Sequence, residues 1–445
     1  MSTAYGEGTR RRYDEVRRLK RSWREMPVKH WTRHRSNSSA FAAGLAALGL
    51  LVAGCSSSGS GASAGSAGSG TINISMIVPT GTSQSNFPQV VAGAKAAIRA
   101  VNAAGGINGK KLALDYCNEG NDINKAATCT RNAVSSSDIA TIGLYSNYAA
   151  QAVLPALGNL IDLAPEAISP AEVSCATCYP IDATPVATLG AEGPLGAMSG
   201  ITSAAMVSYD IPASQTAVAQ LKPGFTASHI TIKDDIAVPT STSDWAPIAQ
   251  RFKDSGAQAF IPVLPEQQTI AFLQAARQAG ITPRILATDG QIQVGDLATL
   301  GSYADGALVV AAFPPATAAA QIPGVQQWLT ELKAEQNSGD ADASASTADG
   351  NSMRAWLAVH IIAEVAAKIH GTVDRASFST ALKSAKDVNL LGILPDWTPS
   401  AAGLVTSLAH LNNPYVYFTK VENGAYELAY PKPWNAFKGG FTSVG

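Results

Sequence analysis

Val101-Asn-Ala-Ala-Gly-Gly-Ile-Asn-Gly-Lys-Lys-Leu112 is the stretch on which the fold turns. Glycine accepts the left-handed backbone that closes a helix, so Gly105-Gly106 predicts a helix end. Upstream of it Val91, Ala94, Ile98 and Val101 recur at spacings of three and four, which predicts a helix over 88–104. Before that helix, Ile72-Asn-Ile-Ser-Met-Ile-Val78 is β-branched and bounded by Pro79 and Gly81, the pattern of a strand. Downstream, 111–116 reads as a second strand, 124–135 as a helix and 139–145 as a third strand. Such alternation argues for βαβ units on a parallel sheet.

The same alternation restarts further along. Strands are expected at 204–209, 229–233, 257–263, 284–287 and 307–312, with helices at 214–221, 245–255 and 267–279 between them. Helices over 325–335, 353–368 and 375–384 follow, separated by a small polar loop at 338–346. A strand pair, 415–420 and 425–429, closes the chain around Asn423-Gly424. A chain of 445 residues exceeds what one core usually serves, so two α/β units in tandem are expected.

The 32 Lys+Arg and 33 Asp+Glu give a net charge of −1, but the charges are unevenly placed. Residues 1–40 hold eleven basic and four acidic residues, net +7, and the rest hold 21 and 29, net −8. An acidic body offers no electrostatic footing for nucleic acid. With 15% charged and 46% apolar residues, wholesale disorder is excluded.

After the basic segment, residues 41–54 run fourteen positions without a charge, short for a bilayer span but suited to the apolar core of a signal peptide. Val52-Ala-Gly-Cys55 resembles the lipobox of bacterial lipoproteins, in which the cysteine is lipidated and becomes the mature N-terminus. Ser56–Gly70 contains only Ser, Gly and Ala, the composition of a flexible tether. The segments expected are therefore a signal peptide over 1–54, with Met26 as the true start, and a lipid-anchored tether over 55–70. The protein is expected to be exported and held on the outer face of the cytoplasmic membrane.

No phosphate-binding P-loop, HExxH or well-placed dinucleotide fingerprint is present. Gly61-Ala-Ser-Ala-Gly65 fits GxSxG, but it lies in the tether, where no rigid strand–turn–helix can hold a nucleophile. His229, His360, His370 and His410 are scattered, so no metal or other cofactor is expected. Apart from Cys55, four of the five cysteines remain, and in an exported protein these point to disulfides. Cys117 ends a strand and Cys129 lies in the next helix, so a local bridge is the first expectation, with Cys175 and Cys178 closing a small loop. Three pairings are open to four cysteines, and a CxxC can also be redox-active or bind zinc.

The opening strand ending Pro79-Thr-Gly81, the long helix and the 101–112 stretch together resemble type I periplasmic binding proteins, including the branched-chain amino-acid (Leu/Ile/Val) receptors of ABC importers. Ala167-Ile-Ser-Pro-Ala171, Ser208-Tyr-Asp-Ile-Pro212, Phe272–Gly280 and Ile285-Leu-Ala-Thr-Asp-Gly290 continue the likeness in order, over about 71–430. The resemblance implies an α/β fold of two Rossmann-like lobes joined by a three-strand hinge. Lobe one would hold 71–190 plus 322–412, and lobe two 191–321 plus 413–445. It implies a substrate-binding lipoprotein that takes a small amino-acid-like or amide-like solute in the cleft between lobes, performs no chemistry, and hands it to an ABC permease and ATPase. By the same resemblance Ser146 would hold a ligand carboxylate, Ala171 would offer backbone contacts, and Asp289 would pair with a ligand ammonium. Glu266 or Gln267 falls where an aromatic residue is common, and Val173 where Thr is usual. Tyr145, Tyr148 and Trp245 are candidates to line the cleft. A ligand sensor on the same fold, signalling to a membrane partner, and a secreted enzyme are the alternative readings.

Overall fold

The chain builds its first sheet from β1 (Thr71–Ile77), β2 (Lys111–Cys117), β3 (Ala140–Ile142), β4 (Ile161–Leu163) and β5 (Cys178–Tyr179), interleaved by α1 (Pro88–Ala103) and α2 (Ile123–Ser135). The computed structural model describes residues 70–82, 85–405 and 408–442. The expected signal peptide, Cys55 and almost all of the tether therefore lie outside the described residues. The strand order is β2-β1-β3-β4-β5, parallel throughout.

Next come α3 (Thr184–Met198), β6 (Ser203–Tyr209), α4 (Pro212–Ala227), β7 (Thr231–Val238), α5 (Ala246–Asp254), β8 (Ala259–Val263), α6 (Glu266–Gln278), β9 (Arg284–Thr288) and β10 (Leu308–Ala311). Three helices follow, α7 (Pro323–Asn337), α8 (Gly350–Ala367) and α9 (Arg375–Ser384), then β11 (Tyr415–Glu422), β12 (Ala425–Leu428) and β13 (Trp434–Asn435). The second sheet runs β12-β11-β10-β9-β8-β6-β7, with β13 on β11. Strands β6 to β10 are parallel, whereas β11 runs antiparallel to β10 and to its later partners.

Although α7, α8 and α9 follow the second sheet in sequence, their apolar faces complete the core of the first, around Ile74, Met76, Trp328, Trp356 and Phe378. The chain thus passes between the sheets three times, after β5, after β10 and before β11. The side-chain amide of Asn413, on the third passage, donates to the Ile181 carbonyl on the first at 2.8 Å, which ties the two together. Helices α1 and α8 approach closely because Gly93 has no side chain: a Cβ there would sit 2.4 Å from the Ser352 carbonyl oxygen. In the 101–112 stretch Gly105 and Gly106 do adopt positive φ, and Gly106 also lies where a Cβ would meet the Lys110 carbonyl at 2.0 Å.

The disulfides join Cys117 to Cys129 and Cys175 to Cys178. The first ties the end of β2 to α2.

Several elements differ from the sequence expectation. Strands β4 and β5 and helix α3 were not predicted. β4 and β5 are only three and two residues long, too short to show a period. Helix α3 contains Gly190, Gly193, Gly196 and Pro194, which read as breakers. The glycines instead permit contact: a Cβ on Gly193 would lie 2.8 Å from the Gly224 carbonyl, and one on Gly196 2.9 Å from Ile230 and Leu286. Helix α4 runs past the expected 221 through Pro223-Gly224 for the same reason. The strand expected at 229–233 lies at Thr231–Val238; as the edge strand of its sheet it tolerates the half-buried Asp234 and Asp235, which pair with Arg251 and Lys222. The strand expected at 139–145 ends at Ile142, because Gly143 takes φ +55° and turns the chain away. Ala167–Ala171 is not a strand end; Pro170–Ser174 begins a helical turn with a capping box from Ser169 and Glu172.

Candidate functional site

Parallel strands present their C-terminal ends on one edge, where backbone leaves room for polar groups. Residues just past β3, β4, β9 and β10 (Tyr145, Glu166, Asp289 and Phe313) line one cavity of about 1090 Å3. Thr184 and Thr188, from the start of α3, and Asp349 and Arg354, from the start of α8, line it too. Both sheets and two of the crossing segments therefore contribute.

Arg354 organises the charges. Its Nε donates to Asp182 Oδ2 at 2.5 Å, its Nη1 is ion-paired with Glu166 and donates to Asn351 Oδ1. The Phe313 ring centroid lies 5.3 Å from the guanidinium carbon, a cation–π contact. The Arg354 side chain is 5% exposed. Burial alone pulls its pKa down, but Asp182 and Glu166 outweigh that and raise it above the ordinary arginine value. Asp182 also accepts from the Thr184 backbone N–H at 2.8 Å, fixing the start of α3.

Asp349 caps α8 by accepting from the Ser352 N–H at 2.8 Å, and its other oxygen accepts from Gln89 Nε2 at 2.8 Å. Asp289 directly follows β9, and among the described residues its carboxylate keeps one long contact, 3.4 Å, from the Ala312 N–H. Its carboxylate lies beside Gly350 at the start of α8, 3.4 Å from where a Cβ there would stand. Burial lifts Asp289 to about 6; Arg354 opposes the shift, and Asp349 and Asp182 add to it. Burial likewise raises Glu166, against the pull of Arg354 and with the crowding of Asp182 and Asp289. Thr184 Oγ1 and Trp328 Nε1 belong to residues 1% exposed that line the cavity, and neither has a hydrogen-bond partner among the described residues.

Of the residues singled out from sequence, Tyr145 and Asp289 line the cavity together. Tyr145 stacks on Phe87 with centroids 4.1 Å apart, which fixes its ring. Ser146 is buried and points elsewhere: its hydroxyl accepts from the Tyr148 N–H at 3.1 Å and donates to the Glu119 carboxylate. Tyr148 packs beside Leu144 and Val153, and Ala171 is exposed on the Pro170–Ser174 turn. Glu266 lies one layer behind the cavity, where Gln293, a lining residue, donates to it at 2.5 Å; burial lifts its carboxyl to about 7, helped by Asp296. Gln267 is exposed, Val173 is buried against Leu408 and Leu411, and Trp245 is in the core of the second sheet. Sequence reasoning missed Glu166, Asp182, Asp349 and Arg354. Arg354 left a signal: it is a lone charge between Met353 and Ala355-Trp-Leu-Ala358 in an apolar helical run. The three carboxylates stand in loops and left none.

Comparison with known proteins gives the class. Residues 71–425 match the family described as periplasmic binding protein, and the chain belongs to that family. Its members are extracytoplasmic solute-binding proteins rather than enzymes, and no helix among the described residues is long and apolar enough to cross a membrane. At the level of sequence it is similar to Leu/Ile/Val-binding protein homolog 6 of Brucella suis biovar 1 (strain 1330), 35% identical over 91 residues. That match spans 20% of this chain and 23% of the relative's length. At the level of structure it is similar to an extracellular ligand-binding receptor from Verminephrobacter eiseniae, with 16% identity, a TM-score of 0.66, and coverage of 80% of this chain and 99% of the other. A solute binding protein of an ABC transporter from Rhodopseudomonas palustris, solved with 3,4-dihydroxy benzoic acid, gives 18%, 0.65, 83% and 98% on the same measures. A leucine binding protein from Thermotoga maritima gives 16%, 0.62, 81% and 98%. These likenesses establish the type I periplasmic-binding-protein fold, an α/β architecture of helix-flanked parallel sheets.

Proposed function

We propose that this chain is the solute receptor of an ABC importer, anchored to the membrane through a lipid on Cys55, and that it binds a small amino-acid-like or amide-like solute between two lobes. The observation that carries the reading is the cavity at the C-terminal strand ends, with charged groups from both sheets converging on it. A concave site of that size with few, well-placed polar groups suits reversible capture of a small molecule. The lobes proposed are 71–190 plus 322–412 and 191–321 plus 413–445. They would close about the three crossings, and the permease would recognise the closed form. The solutes named for similar proteins, leucine in one and a hydroxylated benzoate in another, support a small organic ligand.

A thermal-shift screen of the full chain against amino acids, amides, ureas and aromatic acids tests the reading. A ligand that binds only the folded state raises the unfolding midpoint, and silence across every solute class would count against a receptor. Two variants test its parts. Cys55→Ala should release the protein from membranes, and continued pelleting with them would remove the lipid anchor. Asp289→Ala should weaken a ligand bearing an ammonium group several-fold or more, since hydrogen bonds to charged groups are worth about 1.5–3 kcal/mol.

A further inference from the structure

The cavity lining contains four carboxylates, Glu166, Asp289, Asp305 and Asp349, and one cation, Arg354. That cation is largely committed within the protein: its side chain is 5% exposed, Asp182, Glu166 and Asn351 take donors of Nε and Nη1, and Phe313 packs on its face. A ligand carboxylate drawing on Arg354 would compete with those buried acids, which is costly. The hydroxyl expected to anchor a carboxylate, Ser146, is turned to Glu119 outside the cavity. Asp289, in contrast, has no charged partner in hydrogen-bond contact and keeps one long backbone contact. Tyr145 and Tyr426 add aromatic rings to the lining, and rings attract cations over their faces.

We infer that the solute is an organic cation, an amine, amidine or guanidine without a carboxylate, held by Asp289 and Asp349 against the aromatic wall. The inference rests on the solute-receptor reading and replaces its amino-acid-like or amide-like ligand with a cationic one. A bare metal ion fits less well, because no group of three or more His, Cys, Asp or Glu side chains among the described residues is arranged to hold one. The setting of Asp289 supports a cationic ligand as well. The carboxyl of Asp289 is held up to about 6 by burial, and a bound cation would relieve that by favouring the charged form.

The test is calorimetric titration and thermal shift of the full chain at pH 7.5. The panel is agmatine, putrescine and choline set beside leucine, benzoate and acetamide. At least one of the three cations should bind and raise the midpoint, and leucine and benzoate should not. Asp289→Asn should weaken the bound cation by tenfold or more, with Asp289→Glu recovering part of the loss. Asp349→Asn, which keeps a good helix cap, should weaken it severalfold without unfolding the protein. Binding of leucine, benzoate or acetamide with no response to the cations would overturn the inference and leave the receptor reading standing. Silence to all six would overturn the inference and count against the receptor as well. A cation bound equally by wild type and both asparagine variants would also overturn it.

Discussion

At the scale of the residue, the molecule holds an unusual number of buried acids, and they divide by what they touch. Asp289 and Glu166 face the cavity, where a ligand can meet them. Glu192 does not: it is fully buried in α3, and neither carboxylate oxygen has a partner among the described residues. Burial raises its pKa well above the usual carboxylate range, so the folded protein favours the protonated form. The stability this contributes is fully present below the unfolded value of about 4.3 and is lost as pH rises toward the folded one. Glu192→Leu should therefore stabilise the protein at pH 8 by about 1–3 kcal/mol and flatten its stability between pH 5 and 8, measured by urea unfolding. A destabilised variant would show that Glu192 has a polar role. Asp289 supplies the matching prediction for binding. With its carboxyl near 6, between Arg354, Asp349, Asp182 and Glu166, a cation must meet it ionised. Affinity for the bound amine should rise about tenfold from pH 5 to pH 6.5 and level off above, since one proton is displaced per cation. Tyr145 and Asp289 were legible as site residues because each lies within three residues past the C-terminal end of a parallel strand, where sequence position implies cleft position. Ser146 is adjacent to Tyr145, yet its hydroxyl is held by the Tyr148 N–H and Glu119, away from the cavity.

At the scale of the element, α8 does two jobs whose requirements conflict. Its middle is an apolar rod in the first core, and its N-terminus carries Asp349 and Arg354 into the cavity. The close crossing with α1 at Gly93 sets where that N-terminus stands. Gly93→Ala would place a methyl 2.4 Å from the Ser352 carbonyl oxygen. It should cost about 1–3 kcal/mol and weaken solute binding as well, because the displaced element carries Arg354. Loss of stability alone, with affinity unchanged, would separate the crossing from the site. The Cys117–Cys129 bridge closes a sequence separation of 12 between β2 and α2. Replacing both with Ser should cost about 2–3 kcal/mol in urea unfolding and leave binding unchanged, as neither residue lines the cavity. Helices such as α1 and α6 were legible because a 3.6-residue period repeats over three turns or more, and α8 because its apolar run is too long for a strand. Helix α3 was hidden because its glycines and Pro194 imitate a loop, and what keeps it helical is the packing they allow against α4 and β9.

At the scale of the whole molecule, the passages between sheets put parts of the site on crossing segments: Thr184 and Thr188 at the end of the first, Phe313 on the second. A solute held by Asp289 of the second sheet and Asp349 of α8 would bridge the two lobes, and its binding energy would favour closure. Small-angle scattering of the full chain should show a smaller radius of gyration with a bound solute than without. No change with a solute bound at saturation would leave capture intact and remove closure. By itself the sequence determined the βαβ alternation, the glycine-closed helix before Lys111 and the two-part organisation, because backbone period and glycine chemistry act over a few neighbours. It also placed the cysteines within reach of their partners, since a strand and its following helix are local. The return of α7–α9 to the first core was expected only through the family resemblance, not from any local pattern, and only the tertiary structure decided that Glu166, Asp182, Asp289 and Asp349 gather around Arg354. Those five residues are separated by up to 188 positions from Glu166 to Arg354. Nothing in a local pattern encodes such a meeting; it arises when three chain crossings fold distant strand ends onto one cavity, where low polarity makes each charge felt by the others.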